Sequence, residues 1–263
     1  MTYLKTKKGP LWFSIGAVVI FSFFLSRDSL ARFAWQKYHS ANLAFFLDHG
    51  DADLALKIGN YYFNVYKDGV YDLNKAKKYF NKALEIDPKT PDAWHQLARI
   101  DFLKGDFTLA LEKINKQIEI HGDSFMASFY IRGLIEGYAG DFDQAEKDFK
   151  KFIEWDRQNW AALNDLAWIY FKKGDYKNAE NMAEIGLKIA PQNPWLLTVF
   201  GVSMLNQNQK EEAKKAFIQA KINANLLTEA DWHKAYPGND PKSAGKGLES
   251  MKKIIESDLS LIQ

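Results

Sequence analysis

The side chains best suited to metal or acid–base chemistry are five histidines, at 39, 49, 95, 121 and 233. They are too scattered for the HExxH spacing that puts two imidazoles and a carboxylate on one helix face. No GxSxG turn exposes a nucleophilic serine. Cysteine is absent, which excludes thiolate metal sites, disulfides and cysteine nucleophiles. The stretch Asp240 to Gly247 imitates a phosphate loop but lacks its first Gly, its final Ser or Thr and a preceding strand. Asp51/Asp53 and Asp141/Asp143 begin like calcium ligands, yet no twelve-residue loop follows, so they read as turn and capping residues. The chain therefore reads as non-catalytic, with no metal and no cofactor. The competing reading, a catalytic or glycan-handling protein using Trp232 to Pro241, requires a polar pocket with strongly perturbed carboxylates.

The elements that must position any site are bounded first by composition. The chain has 263 residues, 47% hydrophobic and 26% charged, which excludes wholesale disorder and allows one large domain or two small ones. The net charge of +2 is uneven. Lys5, Lys7, Lys8, Arg27, Arg32 and Lys37 face Asp28 alone in residues 1–37, leaving 29 basic and 32 acidic groups in 38–263, a net of −3. The body of the protein thus has no electrostatic footprint for nucleic acid.

Gly9 to Ser26 is an 18-residue run without a charge. As a helix it spans roughly 27 Å, close to a hydrocarbon core of about 30 Å, with Trp12 near one end. The expected layout is a basic tail over 1–9, a transmembrane helix over 10–26 and a juxtamembrane or capping helix over 27–51. Residues 29–47 should continue from the membrane segment, with Phe33, Trp35, Phe45 and Phe46 packing on the first unit of the body. The short basic tail favours an N-terminus in the cytoplasm and the body outside it. The alternative is a cleaved signal peptide, with cleavage after Ser29-Leu30-Ala31, which makes the protein secreted.

The body repeats itself. Alanines stand at 76, 110, 145, 179 and 213, spaced by 34, 35, 34 and 34 residues. Four residues after each come Phe80, Ile114, Phe149, Ala183 and Phe217, and small residues recur at Gly59, Ala98, Gly133, Ala167 and Gly201. Gly105-Asp106-Phe107, Gly140-Asp141-Phe142 and Gly174-Asp175-Tyr176 lie between. The spacing predicts pairs of amphipathic helices joined by a Gly-Asp turn, where Gly ends one helix and Asp caps the next. One pair cannot bury its apolar face alone, so the pairs must stack.

These residues resemble the tetratricopeptide repeat (TPR) family. Residues 160–193 match its pattern at Leu163, Leu166, Ala167, Tyr170, Ala179, Gly186 and Pro191. Further units fall at 52–90, 91–124, 126–159 and 194–227. The first has five extra residues in its turn, and the last has Asn208-Gln209-Lys210 in place of the Gly-Asp turn. The resemblance implies an all-α, right-handed solenoid of about five helix pairs, preceded by the single transmembrane helix and closed by a capping segment over 228–263. There Leu248, Met251, Ile255, Leu259 and Ile262 recur at helical spacing. That segment covers the end of the array or docks a partner.

In the family, the first helix of each pair lines a concave groove that binds peptide segments. Carried onto this sequence, the lining includes Asn60, Asn64, His95, Arg99, Tyr130, Tyr138, Asn164, Trp168, Lys172 and Trp195. The set is rich in amides, which satisfy a peptide backbone, and in rings, which anchor at low entropic cost. Asn60 follows Gly59 as in the family's chaperone-binding clamp, but Leu56 replaces the clamp lysine, so that clamp is incomplete. The expected function is a membrane-anchored interaction scaffold or assembly factor for protein or peptide partners. Its lipid contact runs through 10–26, and apolar array ends could also pair chains into a homo-oligomer. Beside it stand the secreted binding protein and an accessory subunit of an envelope enzyme.

Overall fold

The computed structural model describes residues 26–63, 70–236 and 238–262. Among them are 14 α-helices, two short 3-10 turns and no strand. The helices are α1 (Arg27–Tyr38), α2 (Ala41–Leu47), α3 (Ala52–Tyr62), α4 (Leu73–Ile86), α5 (Ala93–Leu103), α6 (Phe107–His121) and α7 (Ala127–Ala139). They continue as α8 (Phe142–Trp155), α9 (Trp160–Lys172), α10 (Tyr176–Ile189), α11 (Pro194–Asn206), α12 (Lys210–Leu226), α13 (Glu229–Ala235) and α14 (Ala244–Ser260). From α3 to α12 each helix packs on the next, and α5, α7, α9 and α11 also touch in sequence as an inner layer. The result is an all-α solenoid of helix pairs.

Local chemistry sets the helix ends. The side chains of Asp51, Asp72, Asp106, Asp141, Asn159, Asp175 and Asn193 each accept the backbone N–H three residues on, satisfying a donor the helix leaves open. Gly105, Gly140 and Gly174 precede three of these caps with φ of +77°, +92° and +77°, a region costly for residues with a Cβ. Between α11 and α12 the left-handed position falls instead to Asn208, at φ +61°, and Gln209 makes no side-chain cap bond.

Packing follows the repeat. Phe80, Ile114, Phe149 and Phe217 are fully or almost fully buried, as are the five phased alanines. Gly201 faces the Phe217 ring so closely that a Cβ there would lie 2.6 Å from it. In the fourth pair both positions are small, Ala167 and Ala183, and Val199 fills the space between. Buried charges are paired. Arg132 grips Asp148 through Nε at 2.6 Å and Nη2 at 2.9 Å, and Asp101 receives Lys77 and Lys113.

The expected single-pass localisation is corrected. Among the described residues no helix is long and apolar enough to cross a membrane. The longest, α12 and α14, have 17 residues each and carry several Lys and Glu. The expected transmembrane helix over 10–26 lies outside the described residues except for Ser26, and so does the basic tail. Ser26 itself has ψ of 153°, so the helical backbone starts at Arg27 rather than running on from 10–26. Neither the lipid partner nor a homo-oligomer gains support.

The stretch from Arg27 to Leu47 also differs from expectation. A left-handed His39, at φ +48°, breaks it into α1 and α2. Ala31, Trp35, Ala41 and Ala44 pack against Leu54, Ile58 and Tyr79 of the first pair. Phe45 joins that contact, whereas Phe33 and Phe46 are 52% and 79% exposed. Ala31 is fully buried inside α1, so the cleavage that the secreted alternative requires would cut a packed helix.

Candidate functional site

The inner helices carry two rows of rings. At the C-terminal ends of α5, α7 and α9, Phe102 meets Tyr138 edge-on at 5.3 Å, and Tyr138 stacks on Trp168 at 5.9 Å. Phe142 braces Trp168 from the outer helix, and the Lys172 ammonium sits 5.3 Å from its ring centroid. At the other ends, Trp160 stacks on Trp195 at 5.9 Å. Tyr138 is 61% exposed, so the first row presents aromatic surface to solvent.

The second row continues into the C-terminal segment. Trp195 contacts Trp232 at 5.9 Å and Tyr236 at 6.0 Å, and those two rings lie 4.5 Å apart. α13 begins with a capping box between Thr228 and Asp231, which fixes its direction. After Tyr236 the chain turns, the Asn239 amide donating to the Tyr236 carbonyl at 3.2 Å. Gly238 takes φ +100° in that turn and is buried. A Cβ on it would lie 2.7 Å from Arg99 Nη2 and 3.4 Å from the Phe63 ring. The segment thus reaches from the last inner helix to the first two.

Asp165 of α9 lies within this arrangement. It accepts the Tyr130 hydroxyl at 2.7 Å and the Asn164 amide at 3.3 Å. Burial pushes its carboxyl up to about 6, and the two hydrogen bonds pull the other way. Burial and the Asp165 charge together raise the phenols of Tyr130 and Tyr236 above their ordinary value. Burial also raises Tyr71, and Asp240 adds to it. At the second pair, Gln96 bridges Asp92 and Arg99 with bonds of 2.8 Å to each. Burial lowers the Arg99 guanidinium, while Asp92 opposes that shift.

The ten residues expected to line the groove fall into distinct places. Tyr138, Trp168 and Lys172 form the open row. Arg99, Tyr130, Asn164 and Trp195 lie around the C-terminal segment and Asp165. His95 is buried, its Nδ1 3.1 Å from Ser128 Oγ and its ring against Phe125. Asn60 is buried, with its Oδ1 lacking a hydrogen-bond partner. Asn64 lies outside the described residues. Sequence reasoning missed Asp165 and the inward course of Trp232 to Asp240. The available signal was two aromatics four residues apart followed by Pro-Gly, a turn with its own anchors.

Among the described residues no group of three His, Asp or Glu could hold a metal. Asp51 and Asp141 act as helix caps, and Asp240 caps a 3-10 turn by accepting the Lys242 amide at 3.0 Å.

The tetratricopeptide repeat family model matches residues 138–187, and a second model of the same description matches 72–90. Those two stretches are similar to tetratricopeptide repeats. It is 25% identical over 122 residues to anaphase-promoting complex subunit 3 of Schizosaccharomyces pombe, covering 46% of this chain and 18% of that protein. It is 32% identical over 108 residues to a TPR repeat-containing protein of Methanocaldococcus jannaschii, covering 40% and 18%. The chain spans less than half the length of the curated relatives it matches. Among solved structures it is similar to YrrB, a TPR protein with an unusual peptide-binding site. The TM-score is 0.58 at 17% identity, over 71% of this chain and 94% of that one. That likeness is one of fold, a stack of helix pairs.

Proposed function

We propose that this chain is a non-catalytic tetratricopeptide scaffold or assembly factor that binds linear protein segments on its inner face. The observation that carries this reading is the exposed Tyr138 stacked on Trp168, with Lys172 beside it. Exposed rings held rigidly by neighbours are efficient anchors, because little side-chain entropy remains to be lost. The lysine favours a segment with a carboxylate near an aromatic or apolar residue. YrrB, similar in fold, has a peptide-binding site, which supports the same use of the fold here.

The test is photocrosslinking in the native cell, with a reactive residue replacing Tyr138 and a control replacing Lys177 on the outer helix α10. A discrete product from Tyr138 alone, lost in a Trp168→Ala chain, is the expected result. No product from Tyr138, or the same product from both positions, overturns the reading.

A further inference from the structure

We propose that Trp232 to Asp240 is an internal occupant of the peptide groove, so that a partner segment binds by displacing it. This rests on the groove reading and adds to it both the kind of ligand and the means of control.

A segment that only capped the array would stay on its last pair. α14 does that: Leu248, Met251 and Ile255 pack against Leu197, Ala220 and Ala224. Between α12 and α14 the chain extends from this cap, where Trp232 still packs against Gly247 of α14, into the inner face. Trp232 and Tyr236 dock on Trp195 of the fifth pair. Burial raises the Tyr236 hydroxyl, and the Asp165 carboxylate adds to that shift. The tip, Gly238, meets Arg99 of the second pair and Phe63 at the end of the first. Asp240 acts on Tyr71. A short excursion therefore touches Trp195 of the fifth pair, Arg99 of the second and Phe63 of the first, as a bound peptide would.

The tip is shaped for its seat. Its φ of +100° and the nearby Arg99 and Phe63 atoms admit glycine and exclude a branched side chain. The hold nevertheless rests on few side chains, since α13 contributes no buried residue and the buried tip, Gly238, has no side chain to bury. Segments with few buried contacts open at low free-energy cost. The segment also leaves Tyr138 exposed, so a partner can engage the open row before the rest of the groove clears. The ligand class follows from the occupant's sequence: two aromatics four residues apart, then Pro-Gly, then a trailing carboxylate. Tethering gives the internal copy an effective concentration on the order of millimolar. If it is closed about 99% of the time, apparent affinity for a free segment falls roughly 100-fold.

The test uses the full chain, a Gly238→Val variant and a Tyr236→Ala variant, with helicity checked by circular dichroism. The probe is a fluorescein-labelled peptide copying residues 229–242, followed by anisotropy. Hydrogen exchange of the amides of Tyr236, Gly238, Asn239 and Asp240 is measured in parallel. The expected result is protection of those amides in the wild type, its loss in Gly238→Val, and peptide binding at least about tenfold tighter to the variants. Equal affinity for all three chains, no binding to any at millimolar peptide, or unprotected wild-type amides each overturn the proposal. The Tyr138 crosslink separates the two readings. If it persists while these results fail, the internal occupant is discarded and the groove stands. If it disappears, the groove itself is discarded.

Discussion

Tyr138 and Trp168 stand on the inner helices of neighbouring repeats and stack with their planes 27° apart and their centroids at 5.9 Å. Tyr138 is exposed, and Trp168 lies half-buried at the edge of the core whose centre is Phe149 and the phased alanines. Trp168→Ala should therefore lower the yield of the Tyr138-site crosslink about tenfold, a loss typical of an interface anchor. The helical signal at 222 nm should remain. A large loss of helicity would place Trp168 in the fold rather than in the site.

Gly201 and Gly105 separate two reasons for glycine. At Gly201 a Cβ would press into the Phe217 ring at 2.6 Å, so Gly201→Ala should cost about 1–3 kcal/mol by overpacking. Phe217→Leu should recover part of that loss. At Gly105 the surrounding space is open but φ is +77°, so Gly105→Ala should cost about 1–2 kcal/mol and gain nothing from Phe217→Leu. Denaturant melts of the four chains check both arms.

His95 makes stability depend on acid. Burial, with Arg99 adding to it, holds the imidazole at about 3, against 6.5 for the free side chain. Below the free value the unfolded chain binds a proton that the folded chain refuses, so stability falls as pH drops from 6.5 towards 3. Between pH 7.5 and pH 5 the loss from this residue is about 2 kcal/mol. His95→Gln should flatten that slope in urea melts. A slope equal to that of the wild type would show that the ring is protonated where it sits.

Glu136 makes stability depend on base. Burial first, and then the Asp148 charge, push its carboxyl well above the usual range, while Arg132 opposes them. The folded chain therefore holds a proton that the unfolded chain releases, and stability falls as pH rises beyond the ordinary carboxylate range. One Glu136 oxygen is buried without a hydrogen-bond partner, so ionisation is poorly compensated. Glu136→Gln should raise the melting temperature at pH 8 and change it little at pH 5. An equal shift at both values would remove ionisation as the cause.

The solenoid was readable from residues because its rules are local and repeated. Gly140 and Asp141 end one helix and cap the next within two positions, and Ala145 and Phe149 then set the buried face. Tyr138, which the family resemblance places in the groove register, is exposed. His95 occupies a groove register, yet it is buried because Ser128 and Phe125 close over it from the next pair. The course of Trp232 to Asp240 depends on partners distant in sequence, Arg99 above all, and no local pattern encodes such a contact. The apolar run at 10–26 has the composition of a membrane span, but the first described helix starts anew at Arg27 instead of extending it.

Gly238 reaching Arg99 and Phe63 changes the mechanics of the array. A solenoid whose repeats touch only their neighbours stretches and unzips like a spring, one coil at a time. Here a strap runs across the inside of the curve, from the fifth coil to the first two. Extending the array must first detach the strap, so tension is borne at one latch before any repeat yields.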